Sequence, residues 1–121
     1  MTNYAIQTIA EEMSVEALNG RVTVCQEIAN EAHIKHVLCD PTSLERQALG
    51  ISAHNTPFDS KKREGEWFRR LSQGYAYPVL FVSGAAHVDS FAMLCRERGM
   101  HPYIVNPDFE ASGILLDRQI I

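Results

Sequence analysis

Short apolar runs alternate along this chain with stretches whose apolar residues recur every three or four positions. "PVLFVSG", residues 78–84, is the strongest run. Its apolar residues include the β-branched Val79 and Val82, as expected of a central strand covered on both faces. "KHVLCDP" reads as a short strand stopped by Asp40 and Pro41, and "HPYIVNP" as another. The helical period is clearest in "HVDSFAMLCRERG", where Val88, Phe91, Leu94 and Cys95 form an apolar side and Gly99 supplies a stop. "TVCQEIANEAHI" carries a stripe of Val24, Ile28, Ala29 and Ala32. Thr23 is its cap, and Gln26 sits three places on, as in a capping box. "PTSLERQALG" is helical and stops at Gly50. "REGEWFRRLSQG" is helical despite Gly65, with Trp67, Phe68 and Leu71 as its apolar side.

Three segments are less decided. "YAIQTIAEEM" fits a helix through Ile6, Ile9, Ala10 and Met13, or a strand that ends in Glu11 and Glu12. The strand is preferred. It places the two carboxylates at a strand's carboxyl end, where open parallel sheets bind ligands. Ser14 then serves as a cap or turn residue. Residues 50–62 have little periodicity and read as a long connection, either a binding loop or a mobile one. The tail "EASGILLDRQII" is a strand, a packed arm or a dimer contact. Strands alternating with helices predict one Rossmann-like α/β domain over residues 1–121. It would be a three-layer sandwich with about four mainly parallel strands, residues 79–83 central and flanked by 36–39 and 102–105.

Size and charge narrow the function. The chain has 121 residues, is 45% apolar and carries a net charge of −4. A chain of this length hides roughly two-thirds of its unfolded surface, enough for one real core. The densest basic stretch, Lys61, Lys62 and Arg63, is followed by Glu64 and Glu66, so no basic stripe offers itself to nucleic acid. Cys25, Cys39 and Cys95 are widely spaced and lie in apolar or semi-apolar runs, as reduced thiols of a cytoplasmic protein would. The first residues lack a secretory pattern, and no apolar run approaches the roughly 20 residues that span a bilayer. No membrane partner is expected.

The candidate chemistry gathers at strand ends. Gly84, Ala85 and Ala86 allow a tight strand-to-helix turn, and the helix start after them offers unpaired amides. His87 would stand in the crevice there, with Ser83, Asp89 and Ser90 beside it. Imidazole donates, accepts or moves a proton near neutral pH. Asp89 would be stabilised in a first helical turn even without a function. Asp40 ends its strand and would face the same crevice, or form a turn before Pro41. Arg46 would clamp an anion or pair with Asp40. One of Glu11 and Glu12 faces the crevice, because neighbours alternate; Glu12 is preferred as the later of the two. His36, at the other end of its strand, is taken as structural. No HExxH, HxH, cysteine pair, Walker loop, GxGxxG or GxSxG motif is present, so neither metal nor cofactor is expected. Cys39 sits in an apolar strand and reads as core.

"IAEEM", "HVLCDP", "REGEWFRRL" and "PVLFVSGAAHVDSF" resemble a group of small bacterial α/β proteins. More distantly, the chain is similar to the erythromycin-esterase and TraB-like proteins. In those, an arginine-bearing helix precedes an apolar strand, then a glycine and a histidine three places later. Arg63, Gly84 and His87 stand at the matching positions, and Glu12 matches an early strand-end glutamate. The resemblance implies a polar cluster of Glu12, Arg63 and His87. The combined expectation is a site for a small polar or anionic ligand, possessing or lacking hydrolytic activity. Glu12, Asp40 and His87 would do the acid–base work, and Arg63, Arg46, Ser83, Asp89 and Ser90 would contact the ligand. The alternative is a homodimeric interaction protein joined through Ile114, Leu115, Leu116, Ile120 and Ile121.

Overall fold

The computed structural model describes residues 5–52, 56–105 and 111–118. Five strands form one mixed sheet in the order β2-β1-β3-β5-β4. They are β1 (Thr8–Glu11), β2 (Lys35–Leu38), β3 (Val79–Gly84), β4 (Met100–Val105) and β5 (Ala111–Arg118). The helices are α1 (Val15–Leu18), α2 (Val24–Ala32), α3 (Ser43–Leu49), α4 (Pro57–Leu71) and α5 (Val88–Glu97). The α/β class is as expected, and the ambiguous first segment is a strand. The sheet differs from expectation in strand number and direction. β1 runs parallel to β2 and β3, while β5 runs antiparallel to both β3 and β4.

The flanks of β3 are therefore β1 and β5, not residues 36–39 and 102–105. The cause is the tail. Its apolar residues Ile114, Leu115 and Leu116 slot between β3 and β4 and are buried there. The proposed dimer contact is thus filled, for these three residues, by the chain's own sheet. Ile120 and Ile121 lie outside the described residues.

Alternation along β1 divides the two faces. Ala10 points into the main core with Trp67, Phe81, Phe91, Val79, Ile114 and Leu116. Ile9 and Glu11 point to the opposite face, which α2 covers beside β1 and β2. Trp67, Phe81 and Phe91 form a three-ring contact with centroids 4.6–5.4 Å apart. Each such aromatic pair contributes about 0.5–1.5 kcal/mol beyond its buried area.

Helix α4 begins earlier than the periodicity indicates, so part of the expected 50–62 connection is helical. Its start is a polar device. Thr56 accepts from the Asp59 amide, Asp59 accepts from the Thr56 amide, and Pro57 opens the first turn. Helix α2 also departs from its pattern. Thr23 does cap it, accepting from the Gln26 amide. Of the apolar stripe, only Ala29 is buried; Val24 and Ile28 remain 69% and 50% exposed. The short helix packs mainly on β1 and β2, and much of its apolar face lies beyond them. Among the described residues, no helix is long and apolar enough to cross a membrane.

Candidate functional site

Parallel register brings three strand ends together. Glu11 is level with Leu38 on one side and Val82 on the other. The next residues on each chain, Glu12, Asp40 and the turn from Gly84 to His87, therefore emerge along one edge of the sheet. Helix α4 crosses above this edge and supplies Arg63, Glu64 and Trp67.

Glu12 is the first residue beyond the β1 ladder. Its Oε1 accepts from the Gly84 amide at 2.9 Å, and its Oε2 accepts from Arg63 Nη2 at 2.8 Å. A Cβ at Gly84 would meet Glu12 Oε1 at an ordinary 3.5 Å, so crowding does not demand glycine there. His87 Nε2 lies 3.7 Å from Glu12 Oε2, and its Nδ1 lies 3.0 Å from Glu64 Oε2. An ionised Glu64 can only accept, so this contact is a hydrogen bond when Nδ1 carries the hydrogen. Ser90 Oγ donates to the other Glu64 oxygen at 2.6 Å. Trp67 presents its ring near-perpendicular to the imidazole, with centroids 5.1 Å apart.

Asp40 anchors the arginines. Its Oδ1 accepts from Arg63 Nε at 3.1 Å and from Trp67 Nε1 at 2.9 Å. Its Oδ2 accepts from Arg46 Nη2 at 2.6 Å. This bonding suits a residue that holds other groups in place more than a free base. The Arg63 guanidinium also lies over the Trp67 ring, at 5.5 Å. Arg63 thus bridges the carboxylates of Glu12 and Asp40, and Arg46 pairs with Asp40 alone.

The structure thus brings Glu12, Asp40, Arg46, Arg63, His87 and Ser90 into one connected network. Ser83 is buried next to it, donating to the Gly84 carbonyl at 3.2 Å. Asp89 is exposed in the first turn of α5 and takes no part in the network. Two members were not assigned from sequence. From sequence Trp67 reads as packing, and Glu64 only as an acidic residue after the basic stretch. The signal for Glu64 is its place three residues before Trp67 and seven before Leu71, on the buried stripe of α4. A carboxylate on an apolar stripe needs partners, and His87 and Ser90 are those partners.

The opposite face holds a second carboxylate–histidine pair. Glu11 Oε2 lies 2.5 Å from both His36 Nε2 and Thr23 Oγ1. Cys25 lies nearby, its thiol pushed up to about 11 by burial and then by the charge of Glu11. Burial pushes Cys39 and Cys95 up to about 12. None of the three resembles an activated nucleophile. Among the described residues, no group of three or more His, Cys, Asp or Glu is placed to hold a metal ion. Compared with family models, curated proteins and solved structures, the chain matches none.

Proposed function

We propose that this chain binds a small polar, anionic ligand at the carboxyl ends of β1, β2 and β3, and hydrolyses it with His87 as general base. The observation that carries this reading is the two-sided setting of the imidazole. Glu64 holds Nδ1 at 3.0 Å, while Nε2 faces Glu12 across a gap of 3.7 Å. A base oriented by a buried carboxylate on one nitrogen is free to take a proton on the other. In this mechanism a water beside Nε2 gives up its proton to His87 as its oxygen attacks the ligand. Glu12 orients that water. Glu64 stabilises the imidazolium that forms, and the proton then passes to the leaving group. Arg63 is committed to Glu12 and Asp40 through Nη2 and Nε, which leaves Nη1 to meet the ligand's negative charge. Asp40 and Arg46 keep Arg63 in place.

The test is hydrolysis of mono-p-nitrophenyl succinate, an activated ester with an anionic end, joined to a thermal-shift screen of small anions. Turnover or a stabilising anion in the wild type, lost in His87→Gln and Arg63→Met, supports the reading. Equal activity in wild type and His87→Gln refutes it.

The outward stripe of α2 supports a second reading, a homodimer without chemistry. Val24 and Ile28 are mostly exposed, and burying one such side chain is worth about 1.5–3 kcal/mol. Light scattering on wild type and on Val24→Glu/Ile28→Glu decides it: a dimer that the double variant dissolves is the expected outcome under this reading.

A further inference from the structure

Helices α4 and α5 run side by side in one direction. Ser90 meets Glu64 near one end of their contact, and Arg98 lies over the Phe68 ring near the other, at 5.4 Å. Between them is a groove of about 460 Å³. That volume is within the range of small-molecule sites, roughly 300–1,000 Å³. Lys61, Glu64 and Ser90 stand at its head, Gly65 forms its floor, Met93 and Leu94 form its wall, and Glu97 with Arg98 closes its foot.

Three features mark the groove as a place for a ligand. Gly65 lies inside a 15-residue helix, where glycine costs about 1 kcal/mol relative to alanine. It has no positive φ, and a Cβ added there would meet nothing within 4 Å. Neither backbone strain nor crowding by the chain accounts for it; the space that it leaves open is the groove itself. Charge is the second feature. Lys61 makes no ion pair with any described residue, and the nearby Glu64 carboxylate is buried and taken by His87 and Ser90. At the foot, Glu97 and Arg98 offset each other. The third feature is Met93, 60% exposed along the wall. Its unbranched thioether adapts to flexible apolar chains.

We infer that the α4–α5 groove is a second binding site, for an amphiphilic carboxylate. The carboxylate meets the Lys61 ammonium. An unbranched acyl chain lies over Gly65, against Met93 and Leu94, and points toward Phe68. The groove binds this ligand whether or not the polar network behind Glu64 turns over a substrate.

The experiment follows the Met93 methyl by NMR in protein labelled at its methionine methyls, with decanoate as probe below its micelle concentration. A saturable shift of Met93, with Met13 unmoved, is expected. Gly65→Leu fills the groove and abolishes the shift, while circular dichroism shows α4 intact. Lys61→Glu weakens decanoate by about tenfold, as does exchange of the probe for decyltrimethylammonium. Arg63→Met, a change outside the groove lining, leaves the binding curve unchanged, so failure at the polar site and failure at the groove are separate results. Absence of a saturable Met93 shift overturns the inference. So does a shift that survives Gly65→Leu, or equal binding of the cationic probe. A Met93 methyl that moves on dilution of the protein alone assigns the groove to a second copy and overturns it too.

Discussion

Glu11 and Glu12 are neighbours in sequence, and each meets a histidine, yet the two meetings are opposites. Glu11 is still in register with Leu38 and Val82, so its side chain stands on the sheet face that α2 covers. There Oε2 closes on His36 and Thr23 at 2.5 Å, with both members of the pair about nine-tenths buried. Glu12 is one residue past the ladder, at the sheet's edge. It meets His87 across 3.7 Å, and the remaining contacts of both groups go to Arg63, Gly84 and Glu64. A closed pair is a clip between the neighbouring strands β1 and β2, with the cap of α2 joined to it. An open pair, with each partner anchored from behind, leaves a place for a third molecule. Passing the end of the hydrogen-bonded ladder is what separates the two roles.

Exchanging the histidines gives the largest expected effect. On mono-p-nitrophenyl succinate, His87→Gln should lower kcat/KM by about a hundredfold or more, while His36→Gln stays within about twofold of wild type. Equal losses in both variants would erase the distinction between clip and site.

Stability should reverse the order. His36→Ala strands the Glu11 carboxylate, and urea denaturation should show a loss of about 3 kcal/mol. The double variant Glu11→Leu/His36→Leu should recover most of it, because no buried charge is then left alone.

Acid should separate the two helices that carry the clusters. The Asp59 carboxyl, at the head of α4, is held well below the usual range by hydrogen bonds from Ser52 and then Thr56. A depressed carboxyl stabilises the fold at pH values above its unfolded value and loses that contribution as pH falls toward its folded one. Hydrogen exchange in the first turn of α4 should therefore rise below about pH 4. The first turn of α2, capped by the neutral Thr23, lacks this particular acid response. In Asp59→Asn the acid-dependent rise at α4 should disappear. An unchanged profile in that variant would remove Asp59 as its source.

The smallest effect is expected at the thiols. With Cys25 raised to about 11 and Cys39 and Cys95 to about 12, iodoacetamide at pH 8 should leave the folded chain unlabelled by mass and unaltered in turnover. Labelling of Cys39 with loss of activity would bring back the nucleophile that its apolar strand argues against.

Much of the polar edge was legible before any coordinates. Glu12, Asp40 and His87 each follow an apolar run at its carboxyl end, and in a parallel arrangement those ends align. Arg63 came from resemblance, and Arg46 from the reach of its guanidinium toward Asp40. Glu64 was missed although it shares the stripe of Trp67 and Leu71, because a charge in a run of charges looks solvated. Glu12 stands at the edge beside His87 and Glu11 on the opposite face, an order that alternation alone does not supply. The register of β1 against β2 and β3 is needed.

The amino-acid sequence by itself determined the local elements: the runs of β2 and β3, the caps Ser14 and Thr23, and the glycine stops after α3 and α5. These depend on periodicity and on hydrogen bonds between residues three or four apart, which a linear reading can count. Only the tertiary structure decided that the tail enters between β3 and β4, that β5 runs antiparallel, that the stripe of α2 faces outward, and that Glu64 stands behind His87. Each of these is a choice among partners distant along the chain. An apolar run such as "GILL" satisfies several neighbours equally well, and the burial gained by the whole sheet selects among them.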